Sequence, residues 1–340
     1  MQSIQERCGL SNRVVSAGRN QVSISVWGES AMIGKTRLLE IADRFGSPLY
    51  VYDAARIHEN LARIRNTIQH RPLRIHFAVM SNANLALLRL VRSCGAGVHV
   101  SSPGELALAT RAGFGAAEIV VTGCNFTEPE IERIARARCA VNVDSLGQME
   151  KFIRIGGLGE VGIRLNSEMK PPSGAINVAV GRHSRLGMDT ADIPRARRLA
   201  ERSGARLVGL QMYSVTNILD PRHFLRELDE LVAAARELPD LRYIDLGGGF
   251  GIPYRESQRP FDWRALEMQV SPRLHTLSLK KQVPVDLKLK PGRCVIGNAG
   301  VLVSRVVDVK REAARCLSGA TRASATSRDR MSMASSTAPR

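Results

Sequence analysis

The chain has 340 residues and a formal net charge of +17, from 49 Lys and Arg against 32 Asp and Glu. Hydrophobic residues make up 44% and charged residues 24%, enough apolar material for a large core and too much for a disordered chain. No stretch of about 18 consecutive apolar residues occurs, which excludes a spanning helix. Residues 1–30 lack the basic-then-apolar layout of a secretory leader, so the expectation is a cytoplasmic protein with no membrane partner.

The six cysteines, at 8, 94, 124, 139, 294 and 316, are widely spaced and form no CxxC, as free thiols in a reducing compartment do. The seven histidines form no HExxH pair, so no metal site is expected. The basic residues are scattered over helical stretches and aromatics are only 4%, which favours an arginine-rich surface over nucleic-acid binding.

Residues 1–45 read as an N-terminal segment. QVSISVWGES (21–30) suits a strand, and KTRLLEIADRFG (35–46) suits a helix that stops at Gly46. Between them GESAMIGKT (28–36) imitates a phosphate-binding P-loop. The spacing G-x-x-x-x-G-K-[ST] puts the first glycine at position 29, where the chain has Glu29, so the backbone nest is broken.

From 46 to 293 short apolar runs alternate with amphipathic stretches. After a leader LYVYD (49–53) the runs are RIHFAVM (74–80), AGVHVSS (96–102), EIVVTG (118–123) and AVNVDS (140–145). VGIRLN (161–166), RLVGLQMYS (206–214), RYIDLGGGF (242–250) and VDLKLKPG (285–292) complete them. Eight such runs separated by helices predict a closed parallel (β/α)8 barrel, with a doubly wound open sheet as the runner-up. The run VLVSRVVDVK (301–310) reads as the first strand of a truncated C-terminal β-domain, with 294–310 its remnant. Residues 311–340, rich in Ala, Ser, Thr and Arg, read as a disordered tail.

In such a barrel, chemistry belongs where strands end. Gly247, Gly248 and Gly249 let backbone N–H groups approach an anion, and Arg293 after the last strand adds a cationic contact. A glycine run alone is also what a tight turn needs; its barrel position and the Pro-Gly-Arg segment favour phosphate. At other strand ends stand Met80, His99, Asp144, Arg164, Tyr213, Thr216 and Lys290. Met80 taken by itself is a core side chain at a strand end, Lys290 is a surface lysine beyond the last strand or a substitute imine former, and Arg164 is a pocket cation or the partner of a barrel carboxylate such as Asp144.

Together SPLYVYD (47–53), HFAVMSNANLALLRLVRSCGAGVHVSSPGELALATRAGF (76–114), VTGCNFTEPEIERI (121–134), VNVDSLGQME (141–150), IRLN (163–166), YIDLGGGFGIPY (243–254) and KPGRCVIGNAG (290–300) resemble the fold-type III pyridoxal-phosphate-dependent decarboxylases. The diaminopimelate decarboxylase branch is nearest, with ornithine and arginine decarboxylases more distant. The resemblance implies an alanine-racemase-like barrel, pyridoxal 5′-phosphate as cofactor, an amino-acid substrate, α-decarboxylation within lysine biosynthesis, and a head-to-tail homodimer. It implies that Gly247, Gly248, Gly249, Gly292 and Arg293 hold the cofactor phosphate, with Thr216 a nearby hydroxyl. It further implies Arg164 beside the pyridoxal hydroxyl and Tyr213 stacked on the ring.

Two departures bear on chemistry. The family lysine that forms the Schiff base is Met80 here, in Phe77-Ala78-Val79-Met80-Ser81-Asn82, and a thioether forms no imine. The family glutamate that keeps the pyridine nitrogen protonated is Lys290, a cation that opposes that protonation. Gln211, Val215 and His99 also depart from the family pattern, and Val215 is expected to crowd the phosphate loop. The family's catalytic cysteine has no counterpart, since Cys316 falls in the tail. Three readings follow: an impaired decarboxylase, a non-catalytic pyridoxal-phosphate-binding or regulatory protein paired with an intact paralogue, or an unrelated phosphate-binding barrel.

Overall fold

The computed structural model describes residues 14–17, 20–26, 33–156, 158–167, 169, 181, 184–312 and 315–320. Gly28 to Met32 of the P-loop imitation and residues 321–340 lie outside the described residues. The chain opens with β1 (Val14–Ala17), β2 (Asn20–Val26), α1 (Lys35–Phe45) and β3 (Leu49–Tyr52). Alternation then begins: α2 (Ala54–Thr67), β4 (Leu73–Ala78), α3 (Leu85–Ser93), β5 (Gly97–Val100), α4 (Pro103–Ala112), β6 (Ile119–Thr122), α5 (Glu128–Arg136) and β7 (Ala140–Val143). It continues through α6 (Leu146–Ile155), β8 (Glu160–Leu165), α7 (Ile193–Arg202), β9 (Arg206–Met212), α8 (Pro221–Ala234), β10 (Tyr243–Asp245), α9 (Trp263–Lys281) and β11 (Asp286–Leu289). Last come α10 (Arg293–Ile296), β12 (Gly300–Glu312) and β13 (Arg315–Ala320). None of the described helices is long and apolar enough to cross a membrane.

Two units divide the chain. One is continuous, Asp53–Ala299; the other combines Met1–Tyr52 with Gly300–Arg340. In the continuous unit, β4 to β11 pair in chain order and β11 closes on β4, every pair parallel. The closed (β/α)8 barrel expected from the sequence is therefore present, and the open sheet is excluded. Local signals start its helices. Asp53 caps α2 by accepting from the N–H groups of Ala55 and Arg56, Ser102 caps α4 ahead of Pro103, and Thr127 with Glu130 forms a capping box on α5. Gly113 and Gly156 close α4 and α6 in the left-handed conformation.

The strands bury both faces. Val98, Val100, Val121, Val143, Ile163, Leu210, Ile244 and Leu289 are buried apolar residues along them. At alternate positions stand buried polar residues: His76, Thr122, Asn142, Arg164, Gln211, Asp245, Lys288 and Lys290. One aromatic fills the barrel's middle. A Cβ on Gly162 would lie 2.1 Å from the Tyr243 hydroxyl oxygen, and one on Gly209 2.0 Å from its Cζ. These two glycines, in register on β8 and β9, thus make the space that the Tyr243 ring occupies.

The second unit is a five-stranded sheet built from both ends of the chain. β12 pairs antiparallel with β2, β3 and β13, and β1 pairs with β2. Leu38, Ala42, Val301 and Val303 form its buried cluster. This differs from the sequence reading in two ways. The strand at 301–310 has its partners: β2 from the N-terminal segment, and β3, which lies in the span expected to be barrel, while residues 294–299 belong to the barrel unit. And the expected irregular tail begins with ordered chain: β12 runs on to Glu312, and β13 returns along it with Arg311 opposite Cys316 and Lys310 opposite Leu317. Ladder hydrogen bonds to a long neighbouring strand satisfy the backbone there, without the hydrophobic alternation that a sequence reading looks for.

Candidate functional site

β10 ends at Asp245, and the chain turns through Gly247, Gly248 and Gly249. Gly247 (φ 63°) and Gly249 (φ 98°) are left-handed. A Cβ at 247, 248 or 249 would lie 2.3 Å from the Met212 carbonyl, 2.4 Å from that of Lys290 or 2.2 Å from that of Val215. The turn is wedged between the ends of β9 and β11, where only glycine fits. Asp245 Oδ1 accepts from the Gly247 N–H at 2.9 Å, and the Lys290 N–H donates to the Gly247 carbonyl at 2.6 Å. Val215 is buried and meets the turn through its carbonyl.

Tyr213 follows β9 and lies against this turn, its Cε2 3.7 Å from where a Gly249 Cβ would be. Its hydroxyl shares a 2.7 Å hydrogen bond with Thr216 Oγ1. The Arg164 guanidinium sits 5.8 Å from the Tyr213 ring centroid and donates to Asp144 Oδ1 at 3.3 Å. Asp144 also accepts from the Gly187 N–H. Burial raises the Asp144 carboxyl above its ordinary range, with the Arg164 charge and the Gly187 hydrogen bond pulling the other way. The structure thus brings Arg164, Tyr213, Thr216 and the three glycines into one cluster.

Lys290 is not a surface lysine: it is 3% exposed, inside the barrel. Its Nζ meets Asp245 Oδ2 at 2.8 Å and donates to Thr122 Oγ1 at 3.0 Å. Asn142 Nδ2 donates to both Thr122 Oγ1 and Asp245 Oδ2, and the Tyr243 hydroxyl donates to Asn142 Oδ1 at 2.6 Å. Burial lowers the Lys290 pKa and Asp245 opposes that shift. Asp245, Asn142 and Thr122 were not singled out from the sequence as Lys290 partners. Their alternation along the strands was the available signal, but strand register was not.

Met80 is not a core side chain either. It lies in a 3-10 turn, Val79–Ser81, directly after β4, and is 65% exposed. The turn abuts the end of β11: the Ala78 N–H donates to the Pro291 carbonyl, and a Cβ on Gly292 would collide with Ser81 Oγ at 1.9 Å. Gly292 is therefore beside the Met80 turn. Arg293 is only partly where it was expected. Its backbone begins α10 after Gly292, but its guanidinium donates to the Tyr254 hydroxyl and lies 5.6 Å from that ring. Cys316 lies on β13, in the other unit.

Residues 54–297 match the family model for the pyridoxal-dependent decarboxylase, pyridoxal binding domain. The chain belongs to the pyridoxal-dependent decarboxylase family. Among relatives of this decarboxylase family, the diaminopimelate decarboxylase of Methanothermobacter thermautotrophicus is 30% identical over 294 residues, covering 82% of this chain and 67% of that protein. That of Archaeoglobus fulgidus is 30% identical over 285 residues, covering 81% and 67%. The chain spans about two thirds of the length of these relatives. Among solved structures, diaminopimelate decarboxylase from M. jannaschii in co-complex with L-lysine aligns with a TM-score of 0.74 at 26% identity, over 83% of this chain and 69% of that one. The Helicobacter pylori enzyme complexed with L-lysine, at 21% identity, shares the fold with a TM-score of 0.77 over 84% and 72%.

The family's cofactor is pyridoxal phosphate, and the residues present fit one end of it. The side-chain-free turn at 247–249 suits a phosphate. Inside the barrel, Gln211 Oε1 and His99 Nε2 are buried without a hydrogen-bond partner among the described residues, which leaves polar capacity for a ligand. His99 is held neutral, its pKa pushed well below 6.5 by burial and then by the charges of Lys290 and Arg164. The other end does not fit. At the positions expected for the amine and for the acidic partner of a ring nitrogen stand Met80, which offers no amine, and Lys290, which is already paired to Asp245. No covalent step through the cofactor follows from these residues.

Proposed function

We propose that this chain is a diaminopimelate decarboxylase-like barrel that holds pyridoxal phosphate non-covalently and does not decarboxylate amino acids. One observation carries the reading: the Schiff-base position is the thioether of Met80, while the amine at the neighbouring strand end, Lys290, is buried and bound to Asp245 and Thr122. When bound, the cofactor supplies an aldehyde and an electron-accepting ring; neither Met80 nor the paired Lys290 offers that aldehyde a free amine. Its own residues bind and orient. Gly247, Gly248, Gly249 and Gly292 would hold the phosphate, Thr216 would add a hydroxyl, Tyr213 would stack on the ring, and Arg164, steadied by Asp144, would contact the ring hydroxyl. The ligand class of the mouth is an amino acid, supported by the L-lysine found with the M. jannaschii relative. A regulatory role beside an intact paralogue, or as a homodimer, fits a barrel that binds without turning over. The free cysteines among the described residues support a reducing, cytoplasmic setting.

Titration with pyridoxal phosphate, borohydride reduction and peptide mapping test this, on the natural chain and on Met80→Lys. The expected result is saturable binding by both, with a reduced adduct at position 80 of Met80→Lys alone. A stoichiometric adduct at Lys290 of the natural chain, or no binding by either protein, overturns the reading.

A further inference from the structure

The barrel has a second polar end. At the N-terminal ends of its strands, away from the glycine turn, lies a cavity of about 950 Å³. Lys288 and His76 are among its lining residues and both are almost fully buried. Lys288 projects from β11 on the same side as Asp286 and Lys290, and its Nζ rests 3.3 Å from the centroid of the Tyr243 ring. Among the described residues it makes no hydrogen bond and no ion pair. The face of the Tyr243 ring is its nearest partner, and a ring face replaces less of an ammonium's hydration than a carboxylate would, so burial disfavours the charged form. The obvious candidates are engaged elsewhere: Asp286 pairs with Arg74 at 2.7 Å, and Asp245 with Lys290.

His76 is the second anomaly. Its Nδ1 is buried without a hydrogen-bond partner among the described residues. Burial first, then the charges of Lys288, Lys290 and Arg74, keep this imidazole neutral, well below its ordinary 6.5. Cations outnumber carboxylates around the same cavity: Arg74, Arg138, Arg242, Lys281 and Lys288 against Glu160, Asp240 and Asp286. Glu160 is taken by Arg206 and Arg242, Lys281 donates to the Leu238 carbonyl, and Arg138 has no carboxylate partner among the described residues. An amine, a neutral imidazole and surplus cations thus face one space.

We propose that Lys288 is a nucleophilic amine that condenses with a small carbonyl compound carrying an anionic group, at the end of the barrel opposite the glycine turn. The neutral amine adds to the carbonyl carbon, both amine hydrogens leave with the carbonyl oxygen as water, and an imine remains. The anionic group is held by the cationic rim, and the face of the Tyr243 ring lies under the amine. Two independent features support the chemistry. The geometry leaves the nitrogen lone pair no intramolecular use, and burial pulls the Lys288 pKa down to about 8 against the opposing pull of Asp245. This site does not depend on the pyridoxal-binding reading, since it uses neither the glycine turn nor Met80.

The test uses the natural chain with two aldehydes of equal carbon count, anionic glyoxylate and neutral glycolaldehyde, each with cyanoborohydride, followed by peptide mapping. At pH 7.5 glyoxylate should mark Lys288 at least about ten-fold faster than Lys280 or Lys151, because far more of a depressed-pKa amine is unprotonated there. The rate should climb through pH 8 and level off, and Lys288→Met should lose that mark while keeping those at Lys280 and Lys151. Glycolaldehyde should mark Lys288 more slowly than glyoxylate. Modification of Lys288 no faster than of Lys280 overturns the proposal, and equal rates with the two aldehydes overturn its anionic selectivity. Because neither aldehyde carries phosphate or a pyridine ring, failure here leaves the pyridoxal-phosphate titration unaffected, and the converse also holds.

Discussion

At position 290 a lysine inside a barrel is tolerable only because Asp245 lies against it. Replacing Lys290 with Met leaves Asp245 Oδ2 with a single 3.3 Å contact from Asn142, in a place with no exposure. Lys290→Met should therefore cost about 3–5 kcal/mol. The double variant Lys290→Met with Asp245→Asn should cost distinctly less, because it removes the stranded charge. Urea denaturation of the natural chain, each single variant and the double measures this, and additive costs would show that the pair does not interact. Little of this was legible in the sequence. Met80 and Lys290 were marked as departures from a family pattern, but Asp245 could not be matched to Lys290, because contact across a barrel depends on register between strands far apart in sequence. Met80 alone suggested burial, since Met is a core residue on average; its place one turn beyond β4 decides otherwise.

Among the elements, the strands were the most readable feature. Eight apolar runs became eight strands, because both faces of a parallel barrel strand are buried and the run needs no alternation to be seen. What could not be read was how the interior is filled. Gly162 and Gly209 look like generic strand breakers, yet they are the hollow into which Tyr243 fits. Gly209→Ala drives a methyl group into that ring, and should cost about 1–3 kcal/mol or more. In a Tyr243→Ala background the same substitution should cost far less, since the ring is gone. Thermal denaturation of the two singles and the double measures the coupling; equal costs in both backgrounds would refute the fit. β13 escaped notice for the opposite reason: Ser318 and Gly319 are poor strand formers, and it is the partner strand that orders them.

For the whole molecule, buried bases set the dependence of stability on pH. His76 and His99 have folded pKa values well below 6.5. As pH falls past 6.5 the unfolded chain takes up protons that the folded chain refuses, so the stability present above 6.5 is progressively lost. Lys288 acts with the same sign higher up: between about 8 and 10.5 the unfolded chain holds the proton and the folded chain does not, so stability rises with pH across that window. Asp144 and Glu105, both raised by burial, act oppositely and in the carboxylate range. Unfolding midpoints should thus drop from pH 7 to pH 5.5, and replacing both His76 and His99 with Gln should flatten that drop. An unchanged slope in the double variant would place the titrating groups elsewhere.

The sheet made from both ends of the chain sets an order of events on the ribosome. The barrel is one uninterrupted stretch, complete once Ala299 has emerged. β2 and β3 are synthesised before any of it, yet their common neighbour β12 is made after all of it. Throughout translation of the barrel these early strands have open edges, the kind of surface that recruits chaperones or stray strands. These strands, made before the barrel, are therefore among the last to find their place, and their safekeeping falls to the cell rather than to the barrel.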